Sequence, residues 1–180
     1  ERTRRDSYDK EDYYCFIGRL SFEKGIETLI EAARTLPYHL KIIGGGPLAD
    51  ILKEKAKGAN IEFTGHKEWP EIKEIVGKAR FSVVPSEWYE NCPFSVIEAQ
   101  YYGTPVIASR IGGTVELIKE GMTGEFFEPG NQKELEEKIR NLWGDSERLE
   151  EYTRNCKETD FLNLDKYCEK LLQIYGGLKA

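Results

Sequence analysis

The stretch "YYCFIGRLSFEKGIETLIEAA", Tyr13 to Ala33, decides the fold. Tyr13 to Ile17 is a short unbroken apolar run that stops at Gly18, the form of a strand. A Gly-Arg loop follows, and then Ile26, Leu29, Ile30 and Ala33 recur at helical spacing, which makes one face of the next segment apolar. A strand that hands over to an amphipathic helix with almost no spare loop is one unit of a parallel sheet, because parallel neighbours need a crossover between them.

Working outward, the same unit recurs. "HLKII" (His39 to Ile43) precedes a helix marked by Leu48, Ile51 and Leu52, and "IEFT" (Ile61 to Thr64) precedes a stripe of Ile72, Ile75, Val76 and Ala79. "FSVVP" (Phe81 to Pro85) leads to a helix ending near Gly103, "PVIAS" (Pro105 to Ser109) to a short helix around Val115 to Ile118, and "GEFFE" (Gly124 to Glu128) is a sixth strand. From Asn131 the pattern is helical only, carried by Leu135, Ile139 and Leu142, then Leu149 and Tyr152, then Tyr167, Leu171 and Tyr175. The expected fold class is α/β, a doubly wound parallel sheet of about six strands with a helical C-terminal tail. In such sheets ligands bind outside the carboxyl ends of the strands, so the strand-to-helix loops are where chemistry is sought.

At 180 residues the chain is long enough for one compact domain. Hydrophobic content of 39%, with charges of both signs spread along the chain, describes a globular protein rather than a disordered one. A net charge of -6 argues against a nucleic-acid binder, which needs a basic face to displace counterions. The four cysteines, Cys15, Cys92, Cys156 and Cys168, lack the paired spacing of a zinc site or disulfide scaffold, so a reducing compartment is the simplest reading. No apolar run reaches the ~20 residues that span a bilayer, and no charged-then-apolar leader is seen. The chain opens on Glu1 rather than Met, and it is expected to be a piece of something longer.

Three loops carry candidate chemistry. "GGGPLA", Gly44 to Ala49, formally matches the dinucleotide turn Gly-x-Gly-x-x-Ala. It sits on the second strand, however, and Pro47 removes an amide that could face a pyrophosphate, so a close-approach turn and a plain turn both stand. "GRLSFEKG" places Arg19 and Lys24 before a helix start, where the macrodipole disfavours cations. A bound polyanion reverses that sign; Glu23 can offset part of the cost, and a solvated surface pair is the plain alternative. In "ENCPFSVIEA", Glu90 to Ala99, Pro93 suits the first helical position, so the amides of Phe94, Ser95 and Val96 are expected to form an anion cradle. Glu90 lies just before that cradle. Glu98 lies one turn into the helix beside a stripe of Phe94, Ile97 and Tyr101. Each carboxylate can grip a vicinal diol, so the two could hold two sugar rings flanking a phosphate group.

With these pieces assembled, the chain resembles the C-terminal, nucleotide-sugar-binding half of a retaining GT-B glycosyltransferase of the group often labelled family four, or group 1. The matching pieces are "GRLSFEKG", "IIGGGP", "FTGH", "PSEWYENCPFSVIEA" with its Glu-x7-Glu spacing, "YYGTPVIAS", "GG" with Glu116 downstream, and "GMTGEFFEPGN", in order from about Tyr13 to Leu142. The resemblance implies a Rossmann-like domain over 13–160, a polar lead-in or linker at 1–12, and a C-terminal helix at 161–180 that packs on an absent N-terminal half through Phe161, Tyr167 and Tyr175. It implies that Gly18, Arg19 and Lys24 grip the donor diphosphate, and that Glu90 meets the transferred sugar while Glu98 meets the ribose. Asn91, Cys92 and Pro93 then line the donor loop, with phosphate against the amides of Phe94 and Ser95, and Gly44, Gly45, Gly65 and His66 line the nucleoside pocket. Arg19, Lys24 and Glu90 are the residues expected to take part in catalysis.

The implied partners are a nucleoside-diphosphate sugar and, through the absent half, a glycan or lipid-linked acceptor, with no nucleic acid. No metal or other cofactor is expected, since the chain has only His39 and His66 and no Asp-x-Asp element. A cytoplasmic place follows, with peripheral attachment at the inner membrane face open only through the absent half. Many members carry Gly-aromatic-Gly after the first glutamate, whereas this chain has Asn91, Cys92 and Pro93. Proline donates no hydrogen bond, so any contact made by that amide elsewhere is lost here. A glycosidase is disfavoured because the cationic loop has no task in that chemistry. A nucleotide-sugar-binding module without turnover, and a sugar-nucleotide epimerase of similar architecture, stand as alternatives.

Overall fold

The protein is described by a computed structural model over residues 9–161 and 164–177. Six strands form one parallel sheet: β1 (Tyr13–Ile17), β2 (His39–Ile43), β3 (Ile61–Gly65), β4 (Ser82–Val84), β5 (Val106–Ser109) and β6 (Gly124–Phe127). Their spatial order is β3-β2-β1-β4-β5-β6. The chain winds outward from β1, returns to the middle, and winds outward again from β4. The helices are α1 (Ile26–Ala33), α2 (Ala49–Lys55), α3 (Trp69–Lys78), α4 (Phe94–Tyr101), α5 (Thr114–Leu117), α6 (Gln132–Gly144), α7 (Ser146–Glu158) and α8 (Leu164–Gly177), with a single 3-10 turn at Phe22–Lys24 before α1.

Alternate residues along each strand point to opposite faces, and the sheet is covered on both. Tyr14, Phe16, Leu40, Ile42, Phe81, Val83, Ile107 and Phe127 form one apolar cluster with Leu29 and Ile30 of α1, Leu52 of α2, and Leu135 and Ile139 of α6. Cys15, Ile43, Val84, Val106, Ala108 and Phe126 form the other with Val76 of α3 and Val96 and Ala99 of α4. Trp143 of α6 stacks on Tyr38 at 4.3 Å between ring centroids, and the Arg80 guanidinium lies 4.6 Å from its ring. Tyr38 and Arg80 come just before β2 and β4, so this stack lies at the amino ends of those strands. On α2 the assignment differs: Leu52 is buried, but Ile51 is 53% exposed and does not share its face. On α8, Tyr167, Leu172, Ile174 and Tyr175 are all exposed.

Residues 1–8 of the expected lead-in lie outside the described residues. The stretch that follows is docked. Glu11 bridges Ala79 in parallel, and its amide donates to the Lys78 carbonyl at 2.8 Å. The Lys10 amine donates to the Gly77 carbonyl and to Thr104 Oγ1, both at 2.9 Å. Burial brings the Lys10 amine down to about 7 from its ordinary 10.5, and Lys157 adds repulsion, while the nearby Cys15 and Cys156 thiols act the other way. Burial also pushes both thiols up to about 12.

Between pH 7 and 10.5 the unfolded chain holds the Lys10 proton and the folded chain does not, so this group's destabilising effect shrinks as pH rises through that window. The thiols act oppositely as the unfolded chain loses their protons, so the comparison must cancel them. In urea unfolding, the stability of the wild-type chain minus that of Lys10→Met is expected to increase by about 2 kcal/mol from pH 7 to pH 9. A flat difference would show that the Lys10 amine stays charged in the fold.

Candidate functional site

In this strand order the loops after β1 and β4 leave the sheet in opposite directions, the arrangement that in doubly wound sheets places the ligand crevice between two such loops at the carboxyl ends. Glycines let four loops close around it. A Cβ at Gly44 would lie 2.0 Å from the Gly18 carbonyl oxygen, and one at Gly25 only 1.9 Å from that of Pro85. A Cβ at Gly113 would lie 2.1 Å from the Asn91 carbonyl oxygen. The loops after β1, β2, β4 and β5 therefore touch through their backbones, where no side chain fits.

Across the crevice, Lys24 Nζ meets Glu90 Oε1 at 2.5 Å, with the two side chains 27% and 19% exposed. Ser86 Oγ donates to the same carboxylate oxygen at 2.7 Å, and the Gly113 amide donates to the Glu90 carbonyl at 2.6 Å. Glu90 is thus fixed by its side chain and by its backbone. The sequence offered Glu23 as the acid beside Lys24, but the Glu23 carboxylate accepts from Ser21 Oγ at 2.5 Å. That hydroxyl holds Glu23 below the usual carboxylate range, helped by its own amide and by the charges of Arg19 and Lys24. The charges of Arg19 and Lys24 both favour the ionised form of Glu23. Arg19 itself is exposed, in a turn tied to the β2 loop by the Leu20 amide donating to Gly45 at 2.9 Å.

The other expected site residues gather around the same rim. The Gly18 amide donates to Ile43 at 3.0 Å and the Gly44 amide to Gly65 at 2.8 Å, so the ends of β1, β2 and β3 lie side by side. Above Gly45 and Gly65 a Cβ would meet nothing within 4 Å, and His66 is exposed beside them. Asn91 and Cys92 are exposed in the loop before α4, and Ser95 and Glu98 are half-buried on the helix.

Three details of α4 differ from the sequence reading. Pro93 is the N-cap, with φ -69° and ψ 100°, rather than the first helical residue. The Val96 amide is taken by the Pro93 carbonyl at 3.0 Å, which leaves Phe94 and Ser95 as the amides without an intrahelical acceptor at the tip. The buried stripe is Val96, Ala99 and Gln100, whereas Phe94 is 69% exposed. Glu98, two positions after Val96, lies on the side away from that stripe.

Sequence reasoning missed Ser86, and it noted Gly112 and Gly113 only as a motif. Their spacing from Glu90 carried no periodic signal; the pair of glycines after a strand was the only sign of a close backbone approach. Among the described residues no group of three or more His, Cys, Asp or Glu is placed to hold a metal ion, and no helix is long and apolar enough to cross a membrane.

The arrangement matches known proteins in sequence and in shape. An uncharacterized glycosyltransferase of Methanocaldococcus jannaschii is 32% identical over 156 residues, covering 84% of this chain and 44% of that protein. The sulfoquinovosyl transferase of Arabidopsis thaliana is 33% identical over 146 residues, covering 79% of this chain and 28% of that protein. The crystal structure of the HepE protein of Anabaena in complex with UDP superposes with a TM-score of 0.83 at 21% identity, covering 94% of this chain and 50% of that one. The chain thus spans half or less of the length of these relatives, and its fold is that of a GT-B glycosyltransferase domain. The sequence pattern of the family Glycosyl transferases group 1 matches residues 1–159, and the chain belongs to that family.

Proposed function

We propose that this chain is the donor-binding half of a retaining glycosyltransferase, which moves a sugar from a nucleoside-diphosphate sugar to a glycan or lipid-linked acceptor. The observation that carries the reading is the Lys24–Glu90 pair at the switch point of the sheet, beside the open tip of α4. An ammonium has three donors, so Lys24 can keep Glu90 and still give two hydrogen bonds to a diphosphate. Arg19 adds a second cation, and the amides of Phe94 and Ser95 add fixed dipoles. As the bond between the sugar's anomeric carbon and the diphosphate oxygen breaks, negative charge grows on the leaving group where these donors are already aimed.

Glu90, held by Ser86 and Lys24, presents its remaining acceptor capacity to hydroxyls of the transferred sugar. Glu98 on α4 takes the ribose diol. The open floor above Gly45 and Gly65, with His66 beside it, takes the nucleoside, read largely through backbone groups. That a relative of the same fold carries UDP supports this class of ligand. Lys24, Arg19 and the helix tip supply the countercharge, so no metal is required. The acceptor is held by a second half, against which the exposed apolar side chains of α8 pack, and this chain by itself binds donor without transferring it.

The test is calorimetry of the 180-residue chain with UDP, GDP and ADP against the matching monophosphates. The diphosphate that binds is expected to do so at least about tenfold more tightly than its monophosphate, the worth of one added charged hydrogen bond. Equal affinities would remove Arg19 and Lys24 from the phosphate site.

A further inference from the structure

Lys24 and Glu90 stand on different loops, and their own contact is partly open to solvent, so an ion pair of modest strength cannot by itself fix where the two charges sit. Behind them lies a second set of contacts that the donor reading does not use. The Glu87 amide donates to the Glu23 carbonyl at 3.0 Å, joining the β4 loop to the residue before Lys24. The Glu87 carboxylate accepts from Thr28 Oγ1, in the first turn of α1, at 2.5 Å. At that place a carboxylate is also favoured by the positive end of the helix dipole. Between these two bonds Gly25, at φ 61°, lets the Pro85 carbonyl approach more closely than any Cβ allows.

We infer that Glu87, through Thr28 and the Glu23 carbonyl, is a positioning residue that clasps the β4 loop to the β1 loop and thereby sets Lys24 against Glu90. Glu87 is three residues before Glu90 and Glu23 is next to Lys24. Two bonds made by one residue fix both separation and rotation of the loops, where a single ion pair fixes only a distance. The effect of Glu87 on the diphosphate seat passes through the Lys24 ammonium and the Glu90 carboxylate. This inference rests on the donor reading for its functional consequence, but the clasp can be observed without it.

Four single substitutions in the 180-residue chain test it. Glu87→Gln and Thr28→Ser keep an acceptor and a donor at the clasp; Glu87→Ala and Thr28→Val remove them. Crystal structures of the unliganded variants are expected to keep Lys24 and Glu90 within hydrogen-bond distance in the first two, and to part them beyond about 4 Å in the others. Affinity for UDP, GDP or ADP, whichever the wild-type chain binds, is expected to fall about tenfold in Glu87→Ala and Thr28→Val and less than about twofold in Glu87→Gln and Thr28→Ser.

The decisive comparison repeats Glu87→Ala and Thr28→Val in a Lys24→Ala background. There the loss is expected to vanish, because the ammonium through which the clasp acts is gone. An equal loss in both backgrounds would mark a general weakening of the fold and overturn the inference, as would a Lys24–Glu90 pair unchanged in Glu87→Ala and Thr28→Val. If the wild-type chain binds no nucleoside diphosphate at all, the donor reading fails, and the crystallographic distances alone decide the clasp.

Discussion

Replacing Lys24 with alanine is expected to slow sugar transfer by the full-length protein roughly 100- to 1,000-fold, the usual effect of removing one fixed donor aimed at developing charge. Three features set the size. The ammonium stands at the crevice between β1 and β4, where water is partly excluded by the loops packed around it. It is already held in place by its hydrogen bond to Glu90, so little reorganisation is needed when a diphosphate arrives. Its removal also strips Glu90 of its countercharge, leaving Ser86 as a hydrogen-bond donor and letting the carboxylate repel the diphosphate. The fold itself should be little affected, since partly exposed ion pairs contribute only about 0–1 kcal/mol. Rate loss with an unshifted melting curve is thus the expected pairing, measured by transfer at saturating donor and by thermal unfolding of the same sample. A loss of less than about fivefold would leave Arg19 and the α4 amides to seat the diphosphate alone, and the site would have to be redrawn around them.

The six alternating units were legible because a strand buried on both faces and a helix with one apolar face obey different periods, and each unit carries its own signal. The helix α4 was harder. Most of its residues from Phe94 to Tyr101 are apolar or small, so the sequence alone does not separate a stripe through Phe94 from the buried one through Val96 and Ala99. Ile51 and Leu52 are ambiguous for a related reason: α2 is only seven residues long, too short for periodicity to choose between adjacent apolar residues.

The site was legible as a set of loops rather than as a set of bonds. Lys24 and Glu90 are 66 positions apart, and nothing in the chain between them says that they meet. Only the topology brings the first and fourth loops together. Lys10 shows the same limit from the other side. Beside Asp9, Glu11 and Asp12 it reads as one more solvated charge, yet its partners are Gly77 and Thr104, far along the sequence.

The second large effect concerns a residue with no side chain. Gly113→Ala is expected to cut transfer by about 100-fold, the scale of effect that follows when reacting groups are displaced by roughly 1 Å. The backbone at Gly113 has φ -67°, which alanine adopts freely, so the substitution adds no conformational strain. What it adds is a methyl group 2.1 Å from the Asn91 carbonyl oxygen and 3.1 Å from that of Glu90. The Asn91 contact is with backbone, which cannot swing aside as a flexible side chain would. The segment carrying Glu90 and Asn91 must therefore retreat from the β5 loop by about an ångström, and the 2.6 Å bond from the Gly113 amide to Glu90 lengthens with it. Overpacking of this kind costs about 1–3 kcal/mol, which lowers the melting temperature without unfolding the chain. Gly144→Ala, where a Cβ meets nothing within 4 Å, is the matched control and should leave both rate and stability near wild type. If Gly113→Ala transfers sugar at the wild-type rate, the Glu90 backbone can relax without consequence, and the close packing of the β4 and β5 loops has no part in aiming its carboxylate.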